Sequence, residues 1–341
     1  MNEIINYDHI YDSMMKCRKT VSWKPSVKHY LLNSVEESLK MEKELENGTW
    51  KNGRPKKITI TYPKRREGLS IPFRDRVYQR CLNDGALYPQ MTRSFINNNC
   101  ACQLKKGTDF ARKEIKKHLW NYYCHFGNHG YVLQIDIHGY YANMSHKLVD
   151  DTFSSIEPEI HDRCMDVLNA QYSGDIGYNP GSQMVQIAGI SVLSKLDHYI
   201  KERLRVKHYI RYMDDYWILT DKRDQAEEWL TEIKKQLGKL GFTTSDKKTM
   251  ITPLNKGFLF LGFNYKMTGT GKIIMTLNSQ STRHERRKLK RMAANVKKGT
   301  LDESKMNESV NSWKAFVEHG NSYKLINRMN KFYEEALNAK H

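Results

Sequence analysis

The spacing of apolar residues along the chain changes repeatedly between the period of a helix and that of a strand. Residues 26–45, 108–126 and 223–242 carry apolar side chains three or four positions apart, as amphipathic helices do. Residues 184–204 predict one long helix. Short alternating or apolar runs between these segments predict strands, namely "ITITY", "YVLQIDI", "HYIRYMDDYWILT" and "GFLFLGF". This alternation predicts an α+β fold in which helices cover one face of an antiparallel sheet.

Two loops and one basic segment add to this pattern. The run "KRREG" at 64–68 follows a strand and predicts the tip of a basic hairpin, and "SGDIGYNPGSQ" at 173–183 predicts a Gly-rich loop. From about Thr276 the composition becomes basic and helical, beginning with "RHERRKLKRMAANVKK" at 283–298. The last part of the chain is therefore expected to form a small helical domain.

The charge of the chain points to a polyanionic partner. It contains 56 Lys and Arg residues against 38 Asp and Glu residues, which gives a formal net charge of +18 over 341 residues. An excess of this size indicates either nucleic acid or an anionic membrane surface. The most apolar short run, at 257–263, is far shorter than a membrane span. We therefore expect nucleic acid and no membrane.

Cysteine and histidine usage argues against a disulfide scaffold or a zinc site. None of the six cysteines forms a C-x-x-C pair, and the thirteen histidines show no helical metal-binding pair. The first residues are polar and acidic, unlike a secretory signal. We therefore expect reduced thiols and a cytoplasmic protein.

Two adjacent carboxylates, Asp214 and Asp215, lie between two apolar runs in "HYIRYMDDYWILT". Asp is common in turns, so a purely structural role is the alternative. Two buried carboxylates repel each other, and divalent cations relieve that repulsion. Mg²⁺ prefers a few carboxylates together with phosphate oxygens, and paired ions promote phosphoryl transfer. A third acid, Asp136, ends the strand "VLQID", so the sequence predicts these three acids around two divalent cations.

Several motifs in order along the chain resemble those of reverse transcriptases. "YMDD" resembles the catalytic signature of that family, and "LQIDIHGYY" resembles its first palm motif. "GYNPGSQMVQ", "GFTTSDKKT" and "GFLFLGF" resemble its nucleotide loop, a later palm motif and its primer grip. Upstream, "PKRREGLSIPFRDRVYQ" and "FINNNCACQLKKGTDFARK" resemble the fingers of prokaryotic members. The resemblance runs from about Trp23 to the C-terminus.

The resemblance implies a right-hand polymerase of fingers, palm and thumb. The expected divisions are N-terminal helices and fingers at 1–107, palm with a fingers segment at 108–275, and helical thumb at 276–341. The implied activity is RNA-directed DNA synthesis with two Mg²⁺ ions, Mn²⁺ being an alternative. The implied metal ligands are Asp136, the Ile137 carbonyl, Asp214 and Asp215.

The resemblance also assigns residues to the nucleotide. Lys64 and Arg66 would grip the triphosphate, and Tyr141 would exclude a 2′-hydroxyl, so that dNTPs are the substrates. Tyr141 as a packed core residue and the two cations as a solvated turn are the alternatives. Gly139 and Gln186 would line the nucleotide site, with Gly181 in the adjoining loop. Lys248 would protonate the departing pyrophosphate, although the neighbouring Lys247 fits the motif almost as well.

A further set of residues is expected to contact nucleic acid. The basic helix would follow the phosphates of the primer–template duplex, and a solvated charged face is the alternative. The residues of this set are Lys105, Lys106, Gly257, Phe258, Arg283, Arg286, Arg287 and Lys290.

The biological role stays open between several alternatives. A bacterial anti-phage defence system or retroelement with a dedicated noncoding RNA is one reading, and a diversity-generating retroelement with an accessory protein is another. Val185-Gln186 matches only half of the Ser-Gln pair found in the latter group. A template-independent polymerase and an inactive nucleic-acid-binding scaffold are further alternatives. The expected partners are an RNA template or noncoding RNA, a DNA primer and product, dNTPs, and an accessory protein or a second copy of the chain.

Overall fold

The computed structural model describes residues 4–61, 65–179 and 181–338, and for Arg66 it describes the backbone alone. The chain begins with three helices, α1 (Tyr7–Cys17), α2 (Pro25–Leu32) and α3 (Ser34–Glu46). The single helix predicted over 26–45 is therefore wrong in one respect, because it is interrupted at Asn33. Asn33 leaves the helical region, with φ −106° and ψ 27°. Helix α3 ends before Gly48, whose φ of 65° suits the end of a helix.

A hairpin follows the N-terminal helices. Strands β1 (Lys56–Ile60) and β2 (Arg66–Ser70) pair antiparallel, with Ile60 opposite Arg66. The hairpin predicted around "KRREG" is thereby confirmed, although Lys64 lies outside the described residues. After it the chain forms α4 (Phe73–Leu82), a π-helical turn at Asn83–Leu87, and α5 (Tyr88–Thr92).

A four-stranded sheet forms the centre of the fold. Its strands are β3 (Tyr131–Asp136), β4 (His208–Tyr212), β5 (Asp215–Thr220) and β6 (Met250–Pro253), arranged in the order β4-β5-β3-β6. Tyr216, Trp217 and Ile218 in β5 are completely buried. Their large apolar side chains explain why β5 occupies an interior position in the sheet.

Helices precede or connect the strands of this sheet, and the mixed helix and sheet architecture predicted from the sequence is confirmed. They are α6 (Thr108–Phe126), α7 (His146–Phe153), α8 (Pro158–Gln171), α9 (Gln183–Ser191), α10 (Ser194–His198) and α11 (Arg223–Lys239). Helix α11 is the amphipathic helix expected over 223–242, and Gly241 follows it with φ 81°.

The long helix predicted over 184–204 is broken in the structure. Helix α9 ends at Ser191, α10 begins at Ser194, and a π-helical turn at Tyr199–Arg203 follows. The break has a tertiary cause. The Ile190 carbonyl, at the end of α9, accepts a hydrogen bond from Arg211 at 3.0 Å and so gains a partner outside the helix.

The chain divides into two compact units. The first contains Met1–Ala111, Gln134–Trp217 and Glu228–Thr249, and the second contains Arg112–Leu133, Ile218–Glu227 and Met250–His341. The division into fingers, palm and thumb stays a prediction. None of the helices in the described part of the chain combines the length and apolar character needed to cross a bilayer.

The second unit contains a three-stranded sheet and a helical bundle. Strands β7 (Phe258–Phe260), β8 (Phe263–Met267) and β9 (Ile273–Leu277) pair antiparallel in that order, and they precede α12 (Ser279–Lys297), α13 (Glu303–Val317) and α14 (Tyr323–Asn338). Leu261 and Gly262 join β7 to β8 with φ values of 47° and 85°, the conformation of a tight hairpin turn. The last three helices enclose a core of Leu289, Ala293, Met306, Val310 and Met329.

Candidate active site

A two-residue turn, Met213 and Asp214, joins β4 to β5, and Asp215 begins β5. Met213 takes the left-handed conformation with φ 56°, which is uncommon for a residue with a side chain. Strand β5 lies beside β3, and β3 ends at Asp136. The sheet order therefore brings residues from two distant parts of the sequence to one place.

The carboxyl groups of Asp136 and Asp215 meet there. Burial raises the pKa of Asp215 to about 7, and the charges of Asp214 and Asp136 act in the same direction, as does a hydrogen bond with Asp136. The side chain of Asp136 is itself buried. Lys248 is the cation in contact with this group, since its Nζ donates to Asp136 Oδ1 at 2.7 Å. That hydrogen bond raises the pKa of Lys248.

The donor chemistry at this position fits a divalent cation. Three carboxylates supply only oxygen donors, and the pKa of Asp215 is raised first by burial and then by the charges of Asp214 and Asp136. The three carboxylates are not already arranged around a position for a metal ion. Within residues 4–61, 65–179 and 181–338, no three His, Cys, Asp or Glu side chains are arranged as a ready metal site. Lys248 instead occupies one oxygen of Asp136.

Lys248 reaches the carboxylates because its segment runs beside the end of β3. The Asp136 carbonyl accepts a hydrogen bond from Ser245 N at 2.7 Å, and Ile137 bridges Thr244 antiparallel. A turn from Ser245 to Thr249 then directs Lys248 toward Asp136. Lys247 lines a different cavity, so the geometry places Lys248 rather than Lys247 at the three acids.

Tyr140 and Tyr141 follow β3 and both contact Gly189 in α9. The buried Tyr140 hydroxyl donates to the Gly189 carbonyl. The ring of Tyr141 lies where a side chain at residue 189 would stand, since a Cβ there would be 2.8 Å from the Tyr141 hydroxyl. That hydroxyl is buried and has no hydrogen-bond partner within the described residues. Burial raises the pKa of Tyr141, with smaller effects from Cys102 and Asp214, so Tyr141 lies near the Met213–Asp214 turn.

Two other predicted nucleotide residues are close to this region. Gly139 has φ 55°, a conformation that favours glycine, and a Cβ there would be 2.9 Å from the Asn143 amide nitrogen, so that side chain would have to shift. Gln186 is half-buried in α9, and its Oε1 lies 3.9 Å from Cys102 Sγ. Cys102 Sγ in turn lies 3.5 Å from Met213 Sδ. The sequence did not indicate that Cys102 lies at this site, because its contacts with Gln186 and Met213 join residues far apart in the chain.

Comparison with known protein families decides the class to which this site belongs. The family described as reverse transcriptase (RNA-dependent DNA polymerase) matches residues 72–265, which is more than half of the chain and includes Asp136, Asp214, Asp215 and Lys248. The chain belongs to the reverse transcriptase family. It is accordingly an RNA-directed DNA polymerase, a nucleotidyltransferase whose substrates are a nucleic-acid template, a primer and dNTPs, and members of the family use divalent metal ions. A search of curated proteins returned no match.

A buried ion pair contacts the Met213–Asp214 turn of this reverse transcriptase, and the sequence analysis missed it. Arg211 and Asp197 are both buried, and Arg211 Nε donates to Asp197 Oδ1 at 2.7 Å. Arg211 Nη1 also donates to the Met213 carbonyl at 2.9 Å, and the Tyr209 hydroxyl donates to Asp197 Oδ1 at 2.5 Å. The sequence did contain a signal for this ion pair, because Arg211 lies within an apolar strand and Asp197 lies within an apolar helix.

Four further residues were predicted to contact the nucleotide or nucleic acid, namely Lys64, Arg66, Lys105 and Lys106. Lys64 is not among the described residues, and the Arg66 backbone begins β2. Lys105 is exposed, whereas Lys106 Nζ donates to the carbonyls of Asn97 and Asn99 at 3.0 and 3.2 Å. Lys106 therefore has a structural role in its own loop.

In the second unit, the predicted primer-grip and thumb residues differ in accessibility. A Cβ at Gly257 would be 2.6 Å from the Tyr265 carbonyl oxygen, and Phe258 is buried, stacked on Tyr265 with ring centroids 5.1 Å apart. The basic residues of α12 face solvent, while Leu289 and Ala293 face the bundle core. The exposed residues are Arg283, Arg286, Arg287, Lys290 and Arg291.

Proposed function

We propose that the protein extends a primer along an RNA template at the site formed by Asp136, Asp214 and Asp215. The observation that carries this proposal is the contact of Asp136, at the end of β3, with Asp215, at the start of β5. Asp214 lies in the adjacent turn, and Lys248 is bound to Asp136. Three acidic groups with one contacting ammonium form an oxygen-rich site that favours Mg²⁺, with Mn²⁺ as an alternative.

The reaction joins the primer 3′-oxygen to the α-phosphorus of a dNTP, breaks the bond to the β-phosphate and releases pyrophosphate. Two divalent ions, when bound, would supply charge neutralisation and a lower pKa for the 3′-hydroxyl. Asp136 and Asp214 would hold those ions through their carboxylates and Ile137 through its carbonyl, and Asp215 would add negative charge beside them. Lys248 donates a proton to the departing pyrophosphate oxygen.

The nucleotide lies against Tyr141 in this proposal. The half-buried Tyr141 side chain, with its buried, unpartnered hydroxyl against Gly189, forms a wall beside Asp214 that favours deoxyribose over ribose. Gly139 and Gln186 complete the nucleotide site, and Lys64 and Arg66 bind the triphosphate. An arginine fork matches phosphate oxygens well.

The proposed architecture is the right hand of a polymerase, with fingers at 1–107, palm at 108–275 and thumb at 276–341. The exposed basic face of α12 supports contact with the duplex backbone, since its cations stand at the spacing of one helix face opposite the bundle core. Lys105 is exposed and suits the same role. Lys106, Gly257 and Phe258 would act by shaping the surfaces that receive nucleic acid.

The proposed biological setting is a prokaryotic, cytoplasmic retroelement or anti-phage defence system that uses a dedicated noncoding RNA. Val185 is completely buried and Gln186 is half-buried, so of this pair Gln186 alone has surface to offer a template or nucleotide. Sequencing the RNA that copurifies with the protein tests this setting. Recovery of one structured noncoding RNA supports it, whereas a variable-repeat pair beside the gene would instead indicate template-directed diversification with an accessory protein.

The catalytic assignment is tested by replacing carboxylates one at a time. Asp136→Asn and Asp214→Asn are expected to abolish dNTP incorporation on a DNA-primed RNA template, with circular dichroism confirming the fold. Asp166→Asn, an exposed aspartate of α8, is the matched control and should retain the parent rate. Undiminished incorporation by Asp214→Asn would overturn the assignment. Chelation of divalent metal should abolish incorporation, and added Mg²⁺ should restore it.

A further inference from the structure

A basic cavity in the first unit has Gln186 of the proposed nucleotide site and Gly181 of the adjoining loop in its wall. Its volume is about 330 Å³, and α1, α4 and the start of α9 contribute to its wall. Its lining includes four cations and, among the described residues, no acid. The cations are Lys16, Lys19, Arg76 and Arg80.

A single carboxylate, Asp84, contacts two of the four cations and so compensates only one of the four positive charges. Asp84 lies behind the cavity, 2.7 Å from Arg80 and 3.4 Å from Lys16. Within the described residues, neither Lys19 nor Arg76 forms an ion pair, and Lys19 is exposed. The cavity therefore keeps a positive excess that an anionic ligand would neutralise.

A buried amide at the cavity also lacks a partner. Gln79 lines the cavity and is 4% exposed. Its Oε1 accepts a hydrogen bond from Ser182 Oγ at 3.1 Å, but its Nε2 has no hydrogen-bond partner within the described residues. Leaving a buried donor unpaired is unfavourable, and a ligand with acceptor oxygens would remove that cost.

The start of α9 adds further donors to the same wall. Ser182 precedes the helix, but its side chain makes no capping hydrogen bond to the helix backbone. Its hydroxyl is directed to Gln79 instead. The first backbone N–H groups of α9 thus lack a side-chain cap from Ser182, and the positive end of the helix dipole favours an anion there.

We propose that this cavity binds a phosphate group through Lys19, Arg76, Gln79 and the start of α9. The proposal rests on the proposed polymerase function for the source of that phosphate, which is either the backbone of a bound nucleic-acid strand or a free nucleotide. Backbone phosphates and nucleotide phosphates offer the same acceptor oxygens to these donors.

The test uses a Lys19→Ala/Arg76→Ala double variant, because neither side chain is needed to neutralise Asp84. A Gln79→Glu variant keeps the side-chain size but replaces the unpaired donor with an acceptor that repels phosphate. Lys28→Ala/Lys40→Ala is the charge-matched control, since both lysines are exposed on α2 and α3. Two quantities are measured: the Kd for a fluorescein-labelled single-stranded RNA at several salt concentrations, and the KM for dNTP in primer extension.

If the phosphate belongs to a strand, the double variant raises the RNA Kd by about tenfold and lowers the salt slope by about two, while the KM for dNTP is unchanged. If it belongs to a nucleotide, the KM rises and the RNA Kd is unchanged. Gln79→Glu should shift the same quantity as the double variant. Unchanged Kd and KM in both variants would overturn the proposal.

The binding measurement needs no catalysis, so it separates the cavity from the catalytic site. An Asp214→Asn background is expected to lose extension but to show the same dependence of RNA binding on Lys19 and Arg76. If extension failed in the parent protein while that dependence persisted, the polymerase proposal would fall and the phosphate site would stand.

Discussion

Arg211 and Asp197 form a completely buried ion pair whose guanidinium also binds the carbonyl of Met213. Met213 is in the left-handed conformation and immediately precedes Asp214. Such a conformation costs about 1–3 kcal/mol and persists only where surrounding contacts fix it. Because a buried ion pair often contributes little net stability, we attribute to this one the placement of the Met213–Asp214 turn.

Replacing one partner of this pair should be severely destabilising. Asp197→Leu leaves the buried Arg211 charge without its partner, so the free energy of unfolding is expected to fall by about 3–5 kcal/mol in urea titrations. Asp197→Leu/Arg211→Met removes both charges and should recover most of that loss. Primer extension by this double variant should still show a lower kcat with little change in the KM for dNTP, because the Met213 carbonyl has lost its anchor.

A surface pair provides the control for this double variant. Glu227→Ala removes the exposed partner of Arg223 and should leave both stability and kcat close to the parent values. A double variant with full kcat would show that Arg211 does not position the turn.

Lys248 and Lys247 should differ sharply in their effects on catalysis. Lys248→Ala removes the ammonium that contacts Asp136, and its kcat is expected to fall by about 100-fold or more, as for the loss of a general acid. Lys247→Ala should stay close to the parent, because Lys247 lines a different cavity. Single-turnover incorporation of one dNTP measures both rates. Equal losses in the two variants would contradict the geometry.

A methyl group at Gly189 should disturb sugar selection. The added Cβ would lie 2.8 Å from the Tyr141 hydroxyl, so the tyrosine ring must move toward the nucleotide. We expect the ratio of kcat/KM for dGTP over GTP to fall by about tenfold in Gly189→Ala. Steady-state extension with each nucleotide gives this ratio.

Gly238→Ala is the matched control for this substitution. Gly238 lies in α11 and no atom would meet its Cβ within 4 Å, so the change should add about 0.5–1 kcal/mol of stability and leave the ratio unaltered. A folded Gly189→Ala variant with the parent ratio would argue that Tyr141 is a packing residue only.

The cations of α12 should contribute to duplex affinity in a salt-dependent way. Arg283→Ala/Arg287→Ala removes two exposed charges from one helix face, and the slope of log Kd against log salt should fall by about two for an RNA–DNA duplex. Fluorescence anisotropy measures this slope. Lys305→Ala/Lys331→Ala removes two exposed lysines from α13 and α14 and should leave the slope nearly unchanged. Equal slopes in both double variants would favour a solvated basic face.

Local patterns determined the elements of this protein and the identity of its three acids. Residue spacing predicted the strand before Asp136, the two apolar strands around Met213 and Asp214, and the amphipathic helix α11. The ordered motifs were sufficient to identify the family. Periodicity reports which side chains a segment can bury, and it depends only on neighbours along the chain.

Only the tertiary structure decided which of these groups meet. Contacts between separate elements place Lys248, rather than Lys247, beside Asp136. Such contacts also account for the break between α9 and α10 and for the burial of Arg211 against Asp197. Lys248 and Asp136 are 112 positions apart, and no local pattern encodes their separation in space. Such contacts depend on the order of the strands in the sheet and on the packing of the helices against it. Many interactions throughout the core together determine that arrangement, so no single segment of the sequence specifies it.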